Sequence, residues 1–350
     1  MKKKKKKSPD DLESLRRSDD SPVTGWLSSG STILDLAVAD RLPGGFPVGR
    51  WTIIYGLHST AKTVLGTEPL GYAQRHGGHV WMWDVERTFD EARAKSLFSL
   101  DTKSKLYHYA NPRTVEDLFD GHIAHALEYV RKHRIRGPCA GVTDSLSALV
   151  TRAELKKELG TGYGTEKARI NSAALRKWLG RMSDANFTWI CVDQARINIS
   201  ATFGADREIQ GGGGVAPSLY ASVRILMKDA GAVKNKRGVI IGRRFRFKVD
   251  KNKVAPPFRS GVLRLLFDYG IDDVGGNLWW LREAWQKMGD KGPFRIGKWR
   301  SKSADDVDGL AEATRYVEKN NLERILRREV RELWKEFHKA AERKPRVRFG

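Results

Sequence analysis

Short apolar runs punctuate the first 200 residues, and each ends in small, polar or charged positions. Trp51-Thr52-Ile53-Ile54-Tyr55 ends at Gly56, and His79-Val80-Trp81-Met82-Trp83 ends at Asp84. Ala140-Gly141-Val142-Thr143 ends at Asp144, and Phe187-Thr188-Trp189-Ile190-Cys191-Val192 ends at Asp193-Gln194. Runs of this length bounded by turn signals read as buried strands. A helical pattern follows Thr63, but Gly66 and Pro69 fall inside it. An interior proline costs about 3 kcal/mol, so this helix is expected to be kinked or short. Ser8-Pro9-Asp10-Asp11 supplies an N-cap, a first-turn proline and acids, predicting a short helix to about Arg17. Past Phe267 the chain turns Gly-, Trp- and charge-rich, and Leu322 to Phe337 carries apolar residues at helical spacing, as in a small C-terminal domain whose tryptophans are core.

The strand ends carry the candidate chemistry. Gly56-Leu57-His58-Ser59-Thr60-Ala61-Lys62-Thr63 matches G-x-x-x-x-G-K-[ST] except at Ala61, where the second glycine belongs. Such a loop turns backbone N–H groups around phosphate oxygens, its lysine adds a point charge, and its hydroxyl holds Mg²⁺. A methyl at Ala61 is expected to crowd the phosphate or strain the backbone. The octet alone fits a nucleotide site and a plain loop-helix junction equally well. Glu86 and Asp90 follow the strand ending at Asp84, where open α/β sheets place ligands, and solvated acids there are the alternative.

Charge adds a partner. Lys and Arg outnumber Asp and Glu by 64 to 42, a net +22, which points to a polyanion and first to nucleic acid. The run Lys2 to Lys7 contributes to it and reads equally as a solubilising tail. No apolar run approaches the roughly 20 residues of a membrane helix, and the N-terminus lacks the apolar segment of a signal peptide, so no membrane partner and a cytoplasmic location are expected. Cys139 and Cys191 lie far apart without metal-ligand spacing and read as buried small hydrophobes.

Three further stretches decide the family. The strand ending at Gln194 runs into a long segment through Phe203-Gly204 to Gly211-Gly212-Gly213-Gly214, then Tyr220-Ala221-Ser222-Val223-Arg224. After a basic hairpin comes Lys251-Asn252-Lys253-Val254-Ala255-Pro256-Pro257-Phe258. Together with the phosphate loop these resemble the bacterial RecA recombinase family, from about residue 25 to the C-terminal domain. The resemblance implies an α/β fold: a RecA-like P-loop ATPase core with a mostly parallel central sheet flanked by helices, plus a small α+β C-terminal domain. The boundaries read as a basic tail and short helix over 1–24, the core over 25–268, the C-terminal domain over 269–337 and a basic tail over 338–350.

Roles follow from the resemblance, residue by residue. ATP and Mg²⁺ would be held by Gly56, Ser59, Thr60, Ala61, Lys62 and Thr63, with Asp144 orienting Mg²⁺ through water and Asp90 facing the adenine. Glu86 would activate the attacking water, Gln194 would sense the γ-phosphate, and Lys251 and Lys253 would reach ATP on the adjacent subunit. Two loops, about 156–165 and 196–214, would touch DNA. Arg169, Ser172 and Arg176 lie behind the first loop, and Arg196, Asn198, Ile199, Phe203, Gly211, Gly212 and Gly213 belong to the second. Arg246 and Lys248 match a secondary site for duplex DNA, and an exposed basic strand face is the plain alternative. The implied activity is ATP-dependent pairing and strand exchange by a helical filament of this chain on single-stranded DNA.

The chain departs from the family at Ala61, at Pro69, at Arg93 where an aromatic usually stacks on adenine, in a short N-terminus and in a basic C-terminal tail. These departures bear on ATP turnover more than on fold. A second reading therefore stands beside the first: a weakly catalytic or ATPase-deficient relative acting as a DNA-binding filament or scaffold. A hexameric helicase or KaiC-like ATPase shares such a core but is not expected to carry the Lys-Asn-Lys signature.

Overall fold

The apolar runs form the parallel centre of one large sheet. The computed structural model describes residues 23–156, 164–197, 208–211, 215–290, 292–305 and 307–339. The short helix expected over 8–17, most of the first DNA loop, Asn198, Ile199, Phe203, Gly212, Gly213 and the tail beyond 339 lie outside the described residues. Strand β1 (Trp26–Leu27) pairs with β2 (Phe46–Pro47), and α1 (Thr32–Ala39) lies between them. Ser31 caps α1, and Asp35 accepts from Ser28 and Ser29, fixing the turn that precedes it.

Strand β3 (Trp51–Gly56) leads to α2 (Lys62–Arg75), then β4 (Val80–Asp84), α3 (Glu91–Phe98) and β5 (Tyr107–Ala110). Helix α4 (Ala124–Lys132) precedes β6 (Cys139–Asp144). After α5 (Arg152–Leu155) and the long α6 (Gly164–Asp184) come β7 (Phe187–Ile197), β8 (Glu208–Gly211) and α7 (Val215–Tyr220). Strands β9 (Val223–Lys234), β10 (Ile240–Asn252), β11 (Ser260–Leu266) and β12 (Gly270–Ile271) complete the sheet. Its order is β12-β11-β10-β9-β3-β7-β6-β4-β5, with β8 on β7. Strands β9 to β5 along that path run parallel, and β10, β11 and β12 extend it antiparallel. Crossover connections put helices on both faces, which is why these strands are apolar throughout rather than alternating.

Helix α2 corrects one expectation. It runs unbroken for 14 residues with Pro69 inside it. Gly66 lets it lie close under the sheet, since a Cβ there would sit 3.1 Å from Val192 Cγ2 and 3.6 Å from Val142 Cγ1. Buried Leu65, Pro69, Leu70 and Ala73 share that interface, and tertiary packing outweighs the hydrogen bond lost at the proline. The other sheet face carries the stacked pair Trp51 and Trp189, centroids 4.8 Å apart, with Phe119 edge-on to Trp189.

Both cysteines are buried and free, as expected. At the outer edge, His79 Nδ1 and His108 Nε2 lie 2.9 Å apart, with His108 stacked on Trp81 and both rings near Tyr129. Beyond the sheet come α8 (Asp273–Lys287), the hairpin β13 (Arg295–Ile296) and β14 (Trp299–Arg300), α9 (Asp308–Lys319) and α10 (Glu323–Phe337). Buried Leu278, Leu281, Leu310, Val317, Leu326 and Trp334 join them to the core beside α1. Among the described residues no helix is long and apolar enough to cross a membrane.

Candidate nucleotide site and nucleic-acid faces

β3 hands its last residue to the loop before α2. Gly56 admits no side chain, because a Cβ would lie 2.3 Å from the Met227 carbonyl oxygen and 2.9 Å from Thr60 Oγ1. The loop closes on the Leu57 carbonyl, which accepts from Thr60 Oγ1 at 2.8 Å and from Lys62 Nζ at 2.6 Å. Lys62 is only 7% exposed, and burial pushes its pKa down against the pull of Asp144, Glu86 and Asp193. A desolvated cation at a helix start is suited to a phosphate chain.

Ala61 occupies the first position before α2 at φ 57° and ψ 25°, the left-handed region, and Ser59 also has φ 57°. The loop thus follows the path that glycine takes freely, at a cost of about 1–2 kcal/mol for alanine. The methyl packs against the hydrophobic core. Strain at Ala61 is the consequence this backbone carries. Ala61→Gly is therefore expected to stabilise the fold by about 0.5–1 kcal/mol after glycine's extra unfolded-state entropy, with ATP affinity within about twofold. Thermal unfolding and nucleotide titration check this, and markedly tighter binding in the glycine variant would contradict it.

The hydroxyl of Thr63 donates to Asp144 Oδ2 at 2.5 Å. Asp144 is 5% exposed, and burial raises its pKa to about 6, moderated by that hydrogen bond. A buried hydroxyl–carboxylate pair beside the phosphate loop has the donor chemistry of an Mg²⁺ site. Beside it, Asp84 accepts from the backbone N–H of Thr88 and Phe89 and from the Tyr109 hydroxyl, fixing the turn that carries Glu86. The N–H groups of Val85 and Glu86 donate to the Asp144 carbonyl. Glu86 Oε1 accepts from Ser145 Oγ at 2.5 Å and from Gln194 Nε2 at 3.3 Å. Gly56 and Gln194 are register partners in β3 and β7, which explains why residues distant in sequence converge here.

Asp90 caps α3, its Oδ1 accepting from the N–H groups of Ala92 and Arg93. The Arg93 guanidinium donates to the Phe267 carbonyl at 3.1 Å.

The other candidate residues lie apart from this cluster. Arg169 and Arg176 are exposed on α6, and Arg176 Nη1 donates to Ser172 Oγ at 2.7 Å. Arg196 is the second-last residue of strand β7, paired with Ile209, and Gly211 is opposite Ala195. Arg246 and Lys248 are exposed and alternate with buried Phe245, Phe247 and Val249 on β10.

Lys253 is exposed, but Lys251 is not directed wholly outward. Its Nζ donates to the carbonyls of Ser218 at 2.8 Å and Leu219 at 2.7 Å, at the end of α7. Sequence reasoning missed this use of Lys251, and it missed Ser145, Asp84 and Asp193, which sit beside recognised positions and belong to no motif of their own.

A phosphate loop at the carboxyl edge of a buried parallel sheet, with an acid pair on the adjoining strands, places the chain among P-loop proteins. The model of the RecA N-terminal domain matches residues 10–272. The chain is similar to Protein RecA of Colwellia psychrerythraea, 33% identical over 298 residues, covering 84% of this chain and 79% of that protein. It is also similar to Protein RecA of Rhodospirillum rubrum, 38% identical over 250 residues, covering 71% of this chain and 64% of that protein. The chain belongs to the RecA family.

Proposed function

We propose that this chain is an ATP-dependent recombinase that forms a helical filament on single-stranded DNA, pairs it with duplex DNA and exchanges strands. The observation that carries this reading is the convergence of Lys62, the Thr63–Asp144 pair and the Glu86–Gln194 contact at one end of the sheet. Bound Mg²⁺ would supply charge neutralisation to the phosphates. Thr63 and Asp144 would hold it, and Lys62 would pair with phosphate oxygens as a point charge. Glu86 would take the proton of the attacking water, while Gln194 exchanges its Glu86 contact for the γ-phosphate and so biases the segment that follows. Arg169, Ser172, Arg176 and Arg196, with Asn198, Ile199, Phe203 and Gly211 to Gly213, would line single-stranded DNA, and Arg246 and Lys248 would take duplex. Residues 25–268 would act as the ATPase core and 269–337 as the C-terminal domain.

The test combines hydrolysis and binding. Single-stranded DNA is expected to stimulate ATP turnover, and binding is expected to weaken with salt at a slope of about −0.7 per phosphate neutralised. A flat salt response with no stimulation would sink the reading.

Lys253 is a probe of the contact between subunits, because its side chain is exposed. Lys253→Ala is expected to leave nucleotide affinity of the isolated subunit in place yet remove DNA-stimulated turnover. Equal loss of affinity in the isolated subunit would put Lys253 in its own site.

A further inference from the structure

Helix α6 is connected to Glu86 by a short run of hydrogen bonds that avoids the segment after Gln194. Near the start of the helix, Lys167 Nζ donates to the Ser147 carbonyl at 2.9 Å. Ser147 lies in the single helical turn Leu146–Ala148, directly after the strand end that bears Asp144 and Ser145. Its Oγ is 3.2 Å from Ser145 Oγ, which in turn donates to Glu86 Oε1 at 2.5 Å. Gln194 closes the circuit: its side chain donates to the same Glu86 oxygen, and its N–H donates to Asp193 Oδ1 at 3.0 Å. Asp193 is 4% exposed, with the charges of Lys167 and Lys62 near it.

We propose that Lys167 is a positioning residue that transmits the placement of α6 to Glu86, a second route between DNA and the hydrolytic site. This rests on the reading of α6 as a DNA-facing helix. The physical basis is that the Glu86 side chain is exposed and, among the described residues, accepts from Ser145 and Gln194. Whatever sets those two donors sets the carboxylate. Gln194 answers to the segment that follows it, whereas Ser145 answers through Ser147 to Lys167. A displacement of α6 by phosphates on Arg169 or Arg176, two and nine positions along from Lys167, pulls on the Ser147 carbonyl and turns the Ser145 hydroxyl. The links are backbone and one-carbon side chains, so little motion is lost to rotamer freedom.

The experiment measures ATP turnover with and without single-stranded DNA for the full chain and for Lys167→Met, Lys167→Arg, Ser147→Ala and the Lys167→Met/Ser147→Ala pair. In Lys167→Met the DNA stimulation is expected to fall roughly five- to tenfold, with unstimulated kcat, KM for ATP and Tm retained. Lys167→Arg keeps a donor and restores most of the stimulation. The pair loses no more than the worse single variant, as serial links require. Full stimulation in Lys167→Met overturns the inference, and so does a parallel fall of basal and stimulated rates with a lowered Tm, which marks a merely structural lysine. Absence of stimulation in the unsubstituted chain overturns the underlying reading of function, and this inference with it.

Discussion

Glu86→Gln is expected to lower ATP turnover by about 10²–10⁴-fold while ATP binding and filaments persist. The amide keeps the size of the side chain and an oxygen that can accept from Ser145 and Gln194, so the turn fixed by Asp84 is undisturbed. What it removes is, among the described residues of this cluster, the exposed acid that caps no backbone N–H. Asp144 is tied to Thr63, Asp84 to two backbone N–H groups, and Asp193 is buried. Single-turnover hydrolysis with negative-stain imaging of the same samples decides the matter. Filaments lost along with turnover would make Glu86 structural.

Lys62→Met is expected to separate stability from binding. Burial pushes the Lys62 pKa down, so at neutral pH the fold carries a charge that its surroundings disfavour. The folded value lies below the unfolded one, and the penalty is therefore present at neutral pH and lifted only toward high pH. A methionine of similar length removes that penalty while losing the contact to the Leu57 carbonyl, so Tm is expected to hold or rise. ATP affinity is expected to fall about 10²-fold, because the point charge on the phosphates is gone. Calorimetric titration with ATP and thermal unfolding test the two halves, and a large fall in Tm would show that the lysine supports the loop.

Both outcomes concern residues the sequence displays openly. Lys62, Thr63, Glu86, Asp144 and Gln194 stand at the ends of apolar runs, and a parallel sheet aligns those ends, so strand endings alone bring them together. The same logic fails for α2. Its glycine and proline argue against a long helix locally, yet Gly66 is what permits the close approach that holds the helix whole. Asp90 adds a use that the sequence left unread: one oxygen of its carboxylate caps α3. Lys251 and Lys167 show another limit. Each donates to backbone carbonyls that any residue type could provide, so the sequence holds no partner signal for them.

The imidazole pair at the sheet edge and the carboxylates on its central strands respond to acid in opposite directions. One proton fits between His79 Nδ1 and His108 Nε2, and the surroundings resist a second. Burial, His79 and His125 bring the His108 pKa down to about 4, and burial and His133 lower that of His79. As pH drops below the ordinary histidine range, the unfolded chain takes up protons that this edge refuses, and folding stability falls. Asp144 and Asp193 behave the other way, since their pKa values are raised to about 6 and protonation relieves their burial. Mild acidification thus relieves the crowded carboxylates around Lys62 while it costs stability at the histidine edge of the same sheet.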